Sequence, residues 1–142
     1  MKLNLNSRFI PAAIATGLAL CAASAANATD VAVKLTGDQE VPAVASSATG
    51  VGSIVINSDK TVSGSIKTAG IEGTMAHVHL GEIGKNGPPI ITLIKSADNT
   101  WSIPSGAKLT DEQYQSFKSG NLYVNVHSAE HKGGEIRTQL KP

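Results

Sequence analysis

The four histidines of this sequence fall in two short stretches, His77 and His79 within MAHVHL (residues 75–80) and His127 and His131 within LYVNVHSAEH (residues 122–131). Imidazole is a nitrogen donor suited to copper, zinc, iron or nickel. In an extended strand a His-x-His pair points both rings to one side, about 7 Å apart along the chain, near enough to share an ion. A third ring from a neighbouring strand would complete a three-His set of His77, His79 and His127. His131, four residues past His127, is either a fourth ligand or a surface residue of the loop. No thiolate competes, because the single cysteine, Cys21, lies close to the N-terminus. Copper stands ahead of zinc by the Irving–Williams order. Met75 shares the histidine face and offers a thioether to copper(I). The bland alternative is a set of solvated histidines on a polar sheet face. Three of them predicted to share one face favours the metal.

Such a site needs rigid elements to hold it, and the surrounding pattern supplies them. In residues 75–80, Met75, His77 and His79 share one face, and Ala76, Val78 and Leu80 share the other. In residues 121–127, Asn121, Tyr123, Asn125 and His127 oppose Leu122, Val124 and Val126. In residues 135–140, Glu135, Arg137 and Gln139 oppose Ile136 and Leu140. If the three strands are neighbours, His77, His79, His127, Glu135 and Arg137 meet on the open outer face of a sheet. Behind the ligands, Glu135 would orient an imidazole and Arg137 would attract a small anion. Alternatively the two form a plain ion pair worth about 0–1 kcal/mol.

Further strands are expected at residues 31–36, 50–56, 61–67 and 90–95, separated by Gly-, Asn- and Pro-containing turns. Residues 81–89 (GEIGKNGPP) hold too much glycine and proline for regular structure. One helix is expected at residues 110–118. Thr110 and Gln113 form a capping-box pattern, Asp111 and Glu112 occupy the first turn, and Gly120 follows the end. Tyr114 and Phe117 would pin it to the core. The fold predicted is all-β, a Greek-key β-sandwich with one short helix.

A leader is expected before this domain. Lys2 and Arg8 are followed by an apolar stretch and by Ala26-Asn27-Ala28, the small-x-small pattern of signal peptidase. Residues 1–28 therefore read as a signal peptide and residues 29–142 as one domain, periplasmic or secreted. The apolar stretch is too short and too rich in alanine to span a bilayer, which takes roughly 20 apolar residues. Without Lys2 and Arg8 the chain has ten basic and eleven acidic residues, a net charge of −1. That excludes the basic footprint of a nucleic-acid binder.

Four motifs in order carry a family resemblance: LTGDQEVP at residues 35–42, AHVHLGEIGKNGPPI at 76–90, LYVNVHS at 122–128 and GGEIRTQ at 133–139. The chain resembles the chordin domain (CHRD) family over nearly everything after the leader. The resemblance implies a β-sandwich of the kind exported by bacteria and repeated in extracellular animal proteins. His131-Lys132 stands where the family often has Asn-Pro, and Thr138 where it often has Gly. A weaker likeness is to the copper-zinc superoxide dismutases, which carry a His-x-His strand on a Greek-key, immunoglobulin-like sandwich. This chain lacks their disulfide and their zinc loop, so that likeness supports copper alone. The function expected is an exported copper-binding protein with a three- or four-His surface site, for storage, transfer or superoxide-type redox chemistry. Binding is favoured over catalysis because no substrate pocket is visible in the sequence. The alternative is a metal-free module that binds a protein partner. An open edge strand leaves a homodimer open.

Overall fold

The computed structural model describes residues 27–142. The expected signal peptide therefore lies, apart from Asn27 and Ala28, outside the described residues. The elements are β1 (Ala28–Thr36), β2 (Thr49–Asn57), β3 (Val62–Ala69), β4 (Gly73–Leu80), β5 (Pro89–Thr92), β6 (Ile94–Ala97), β7 (Thr100–Ser102), α1 (Asp111–Lys118), β8 (Leu122–Ser128) and β9 (Ile136–Leu140). The fold is all-β with a single short helix, as expected. No helix among the described residues is long and apolar enough to cross a membrane.

All nine strands join in one sheet, in the order β5-β4-β8-β9-β1-β2-β3-β7-β6. The β9–β1 junction rests on one antiparallel pair, Thr36 with Arg137. There the sheet folds over, so that β5-β4-β8-β9 faces β1-β2-β3-β7-β6 across a shared core. Alternation places Val31, Val33 and Leu35 of β1, Ile54 and Ile56 of β2, Ala76 and Val78 of β4, and Leu122, Val124 and Val126 of β8 inside. Trp101 of β7 lies against Gly73 and Val126 of the opposite layer.

Residues 90–95 are not one strand. The run divides at Leu93, which is buried and donates its N–H to the Ala76 carbonyl at 2.9 Å. Before Leu93 the chain is β5, paired with β4; after it the chain is β6, paired with β7. An unbroken apolar run gives no sign of such a crossing between layers. The helix is as expected: Thr110 caps it, and the reciprocal Thr110–Gln113 capping box is formed. Phe117 is fully buried and Tyr114 packs partly against the core.

Candidate metal centre

The three strands expected to carry the site are neighbours. On β4 and β8, Met75 faces His127, His77 faces Asn125 and His79 faces Tyr123. On β8 and β9, Asn125 faces Arg137 and Tyr123 faces Gln139. A bulge between Gly73 and Met75 sets the phase of β4. An added Cβ on Gly73 would point at Trp101 and Val126 in the core. The extra residue, Thr74, is exposed and bonds its hydroxyl to the His127 carbonyl at 3.3 Å. From Met75 onward the odd positions lie on the outer face.

The rings of His77, His79 and His127 gather there. Their centroids are 5.4 Å apart for His77–His79, 4.9 Å for His77–His127 and 6.1 Å for His79–His127. One nitrogen from each lies within 4.8 Å of the other two. A tetrahedral ion with bonds of 2.0–2.1 Å would hold nitrogens about 3.4 Å apart, so small ring rotations close the set.

Backbone carbonyls fix two of the three tautomers. The Nδ1 of His79 is 2.9 Å from the Gly87 carbonyl, and the Nδ1 of His127 is 2.8 Å from the Lys132 carbonyl. A carbonyl only accepts, so each Nδ1 carries the proton and each Nε2 presents a lone pair. The Nε2 of His79 is buried with no hydrogen-bond partner. The Nε2 of His127 accepts from the Nδ1–H of His77 at 3.0 Å. Burial, aided by the neighbouring His127 and His79 rings, holds His77 below the ordinary histidine pKa. Burial also lowers His79, against the raising effect of its bond to Gly87.

The expected open face is instead covered. His79 is 7% exposed and His127 5%, and every residue of β8 is buried. The connection at residues 81–88 folds back over the face. Besides holding His79, it sets the Gly87 N–H on the Tyr123 hydroxyl at 3.2 Å. The Tyr123 ring stacks on His79, 4.6 Å apart and within 5° of parallel. Arg137 lies on the other side of Tyr123, its Cζ 3.4 Å from the ring centroid. Its guanidinium donates to the Lys85 carbonyl at 2.8 Å and to the Asn86 side-chain oxygen at 3.1 Å. At 2% exposed, Arg137 is a strut under the covering loop, with no guanidinium face free to draw an anion.

Glu135 and His131 stand apart from the three rings. Glu135 accepts from the Ser46 hydroxyl at 2.7 Å. Burial acts to raise its pKa, but hydrogen bonds from Ser128 and Ser46 outweigh that and hold the carboxyl below its usual value. It pairs with no imidazole, and no Glu135–Arg137 ion pair forms among the described residues. His131 is outside the three-nitrogen group. Its carbonyl closes the β8–β9 turn by accepting from the N–H groups of Ser128 (3.3 Å) and Gly134 (3.0 Å). Its ring borders a surface pocket with Glu40, Pro42 and Gly134.

Glu40, Tyr123 and Asn125 join this face without having been singled out in the sequence. Glu40 is buried, one carboxylate oxygen has no partner, and burial raises its pKa against the pull of Asn125 and Arg137. Tyr123 and Asn125 were visible as alternate residues of the histidine strand; Glu40 had only its place in LTGDQEVP.

A family model described as the CHRD domain matches residues 31–140. No curated protein and no solved structure gives a significant match.

Proposed function

The chain belongs to the CHRD domain family, and from that premise we propose that it is an exported copper-binding protein whose ligands are His77, His79 and His127. One observation carries the reading: three imidazole nitrogens converge within 4.8 Å, on strands paired in register. Backbone carbonyls of two different loops already hold the Nδ1 atoms of two of the rings, which leaves a lone pair on each Nε2 for a metal. Orientation of a ligating imidazole by a hydrogen bond on its other nitrogen is the usual outer support of a metal site. Neutral imidazoles without thiolates suit copper(II), which outbinds zinc at such donors. Export fits the leader pattern at residues 1–28 and the extracellular character of the family.

The site is for holding or passing on copper. Arg137, the side chain expected to draw in an anion, is instead engaged with Lys85 and Asn86 under the loop.

Titration of copper into the metal-free protein, followed by electron paramagnetic resonance, tests the reading. One copper per chain with nitrogen ligation is expected. His77→Ala should lose stoichiometric uptake, whereas His131→Ala should retain it. Retained uptake in His77→Ala would overturn the ligand set. Protein that takes up no copper would leave the metal-free interaction module as the better account of this face.

A further inference from the structure

We infer that Met75 is the capture ligand of this centre, a thioether at its mouth that takes copper(I) in and holds it there as a fourth donor. The inference rests on the copper reading and adds to it the oxidation state of the incoming ion and its route.

Exposure along the outer face of β4 is graded. Met75 is 47% exposed, His77 is half-buried and His79 is buried. The inner end is closed by residues 81–88, through the Gly87 carbonyl on His79 and the Gly87 N–H on Tyr123. An ion therefore reaches the three rings from the Met75 end. Met75 stands directly opposite His127 in the β4–β8 register and two residues before His77. Opposed residues of an antiparallel pair have Cβ atoms about 4.5–5.5 Å apart. A side chain with three rotatable bonds spans that gap readily. The bulge at Thr74 is what turns Met75 to this face, since without it period-2 alternation from the inward-pointing Gly73 would carry Met75 into the core.

The chemistry selects the oxidation state. A thioether is a soft, neutral donor that prefers copper(I), whereas imidazole accepts both states. Large apolar side chains this exposed are few among the described residues: Val51, Ile83 and Ile94 are the others. Only Met75 among them has a donor atom, and it is the only sulfur-bearing residue in 27–142. Uptake moves no electron. Copper(I) leaves its carrier's ligands for the Met75 sulfur and the Nε2 atoms of His127 and His79. His77 joins through Nδ1 as the proton there passes to solvent and another is taken up at its Nε2.

Met75→Leu keeps the bulk and removes the donor. The test is copper(I) affinity under anaerobic, reducing conditions, read by competition with the chromophoric chelator bicinchoninate, alongside copper(II) binding read by paramagnetic resonance. Met75→Leu should lose copper(I) affinity by about tenfold or more, equivalent to about 1.4 kcal/mol, with copper(II) binding unchanged. X-ray absorption of the copper(I) form should show a sulfur neighbour in the parent and none in the variant. Equal copper(I) affinity in parent and variant, with three-nitrogen ligation in both, would overturn the role of Met75 and leave the three-His centre standing. Parent protein that binds neither oxidation state would overturn both.

Discussion

A ring nitrogen committed to a carbonyl decides what its partner nitrogen can do. His79 and His127 have each given Nδ1–H to a backbone oxygen, so their Nε2 atoms carry lone pairs that can ligate without losing a proton. His77 is held neutral by burial and needs only to move its proton from one nitrogen to the other. Metal uptake near pH 7.5 should therefore release close to no protons, as measured by calorimetry in buffers of different ionisation enthalpy. Protonation competes with the metal only below the depressed pKa values of His77 and His79. The midpoint of the pH dependence of affinity is therefore expected below the ordinary 6.5. The metal-free fold follows the same sign. Below pH 6.5 the unfolded chain takes up protons at both residues while the folded chain resists, so these two residues withdraw stability as pH falls. Release of a full proton per ring at pH 7.5 would contradict the neutral state of the rings.

The connection at residues 81–88 acts as an element in its own right, because it converts a polar sheet face into an enclosed centre. Gly87 is its point of closest approach. A Cβ there would collide with the Leu80 carbonyl oxygen, so Gly87→Ala must displace the segment and with it the carbonyl on His79. Loss of such outer support weakens metal affinity by about 10–100-fold, and Gly87→Ala should fall in that range by titration while the far-UV circular dichroism stays that of a folded sandwich. Affinity equal to the parent's would mean that the loop covers the histidines without orienting them. This element also marks where the sequence stops being legible. The outward row of Met75, His77 and His79 and that of Tyr123, Asn125 and His127 follow from period-2 alternation, and the helix follows from its capping box. The cover does not, because it acts mainly through backbone groups, the carbonyls of Lys85 and Gly87, and it is joined by the Lys132 carbonyl of the β8–β9 turn; none of these leaves a residue signature. For the same reason Glu135 looked like the imidazole's partner: a carboxylate is visible in a sequence and a carbonyl is not. Strand β7 is three residues long, too short for any period, and the turn of the chain at Leu93 hides inside an apolar run.

Across the whole molecule, the two layers are joined by few ladder hydrogen bonds. The fold-over rests on the pair Thr36 with Arg137, and the opposite edge on the chain passing through Leu93. No disulfide is available to residues 27–142, which contain no cysteine. Cohesion between the layers must come from apolar contact, and with aromatics at 4% of the chain that contact leans on a few large side chains. Trp101 is the foremost, since it sits on β7 in one layer and against Gly73 and Val126 in the other. Replacing a buried large aromatic by alanine removes about 3–5 kcal/mol, a large part of the 5–15 kcal/mol typical of a domain. Trp101→Ala should lower the urea midpoint accordingly and Trp101→Phe by less. The parent offers a sharper check, because Trp101 is its only tryptophan. If one core binds both layers, the fluorescence of Trp101, on one layer, and the copper uptake proposed for the histidines, on the other, must be lost over the same urea range. Loss of the fluorescence signal while the histidine layer still takes up copper would mean that the layers hold together independently.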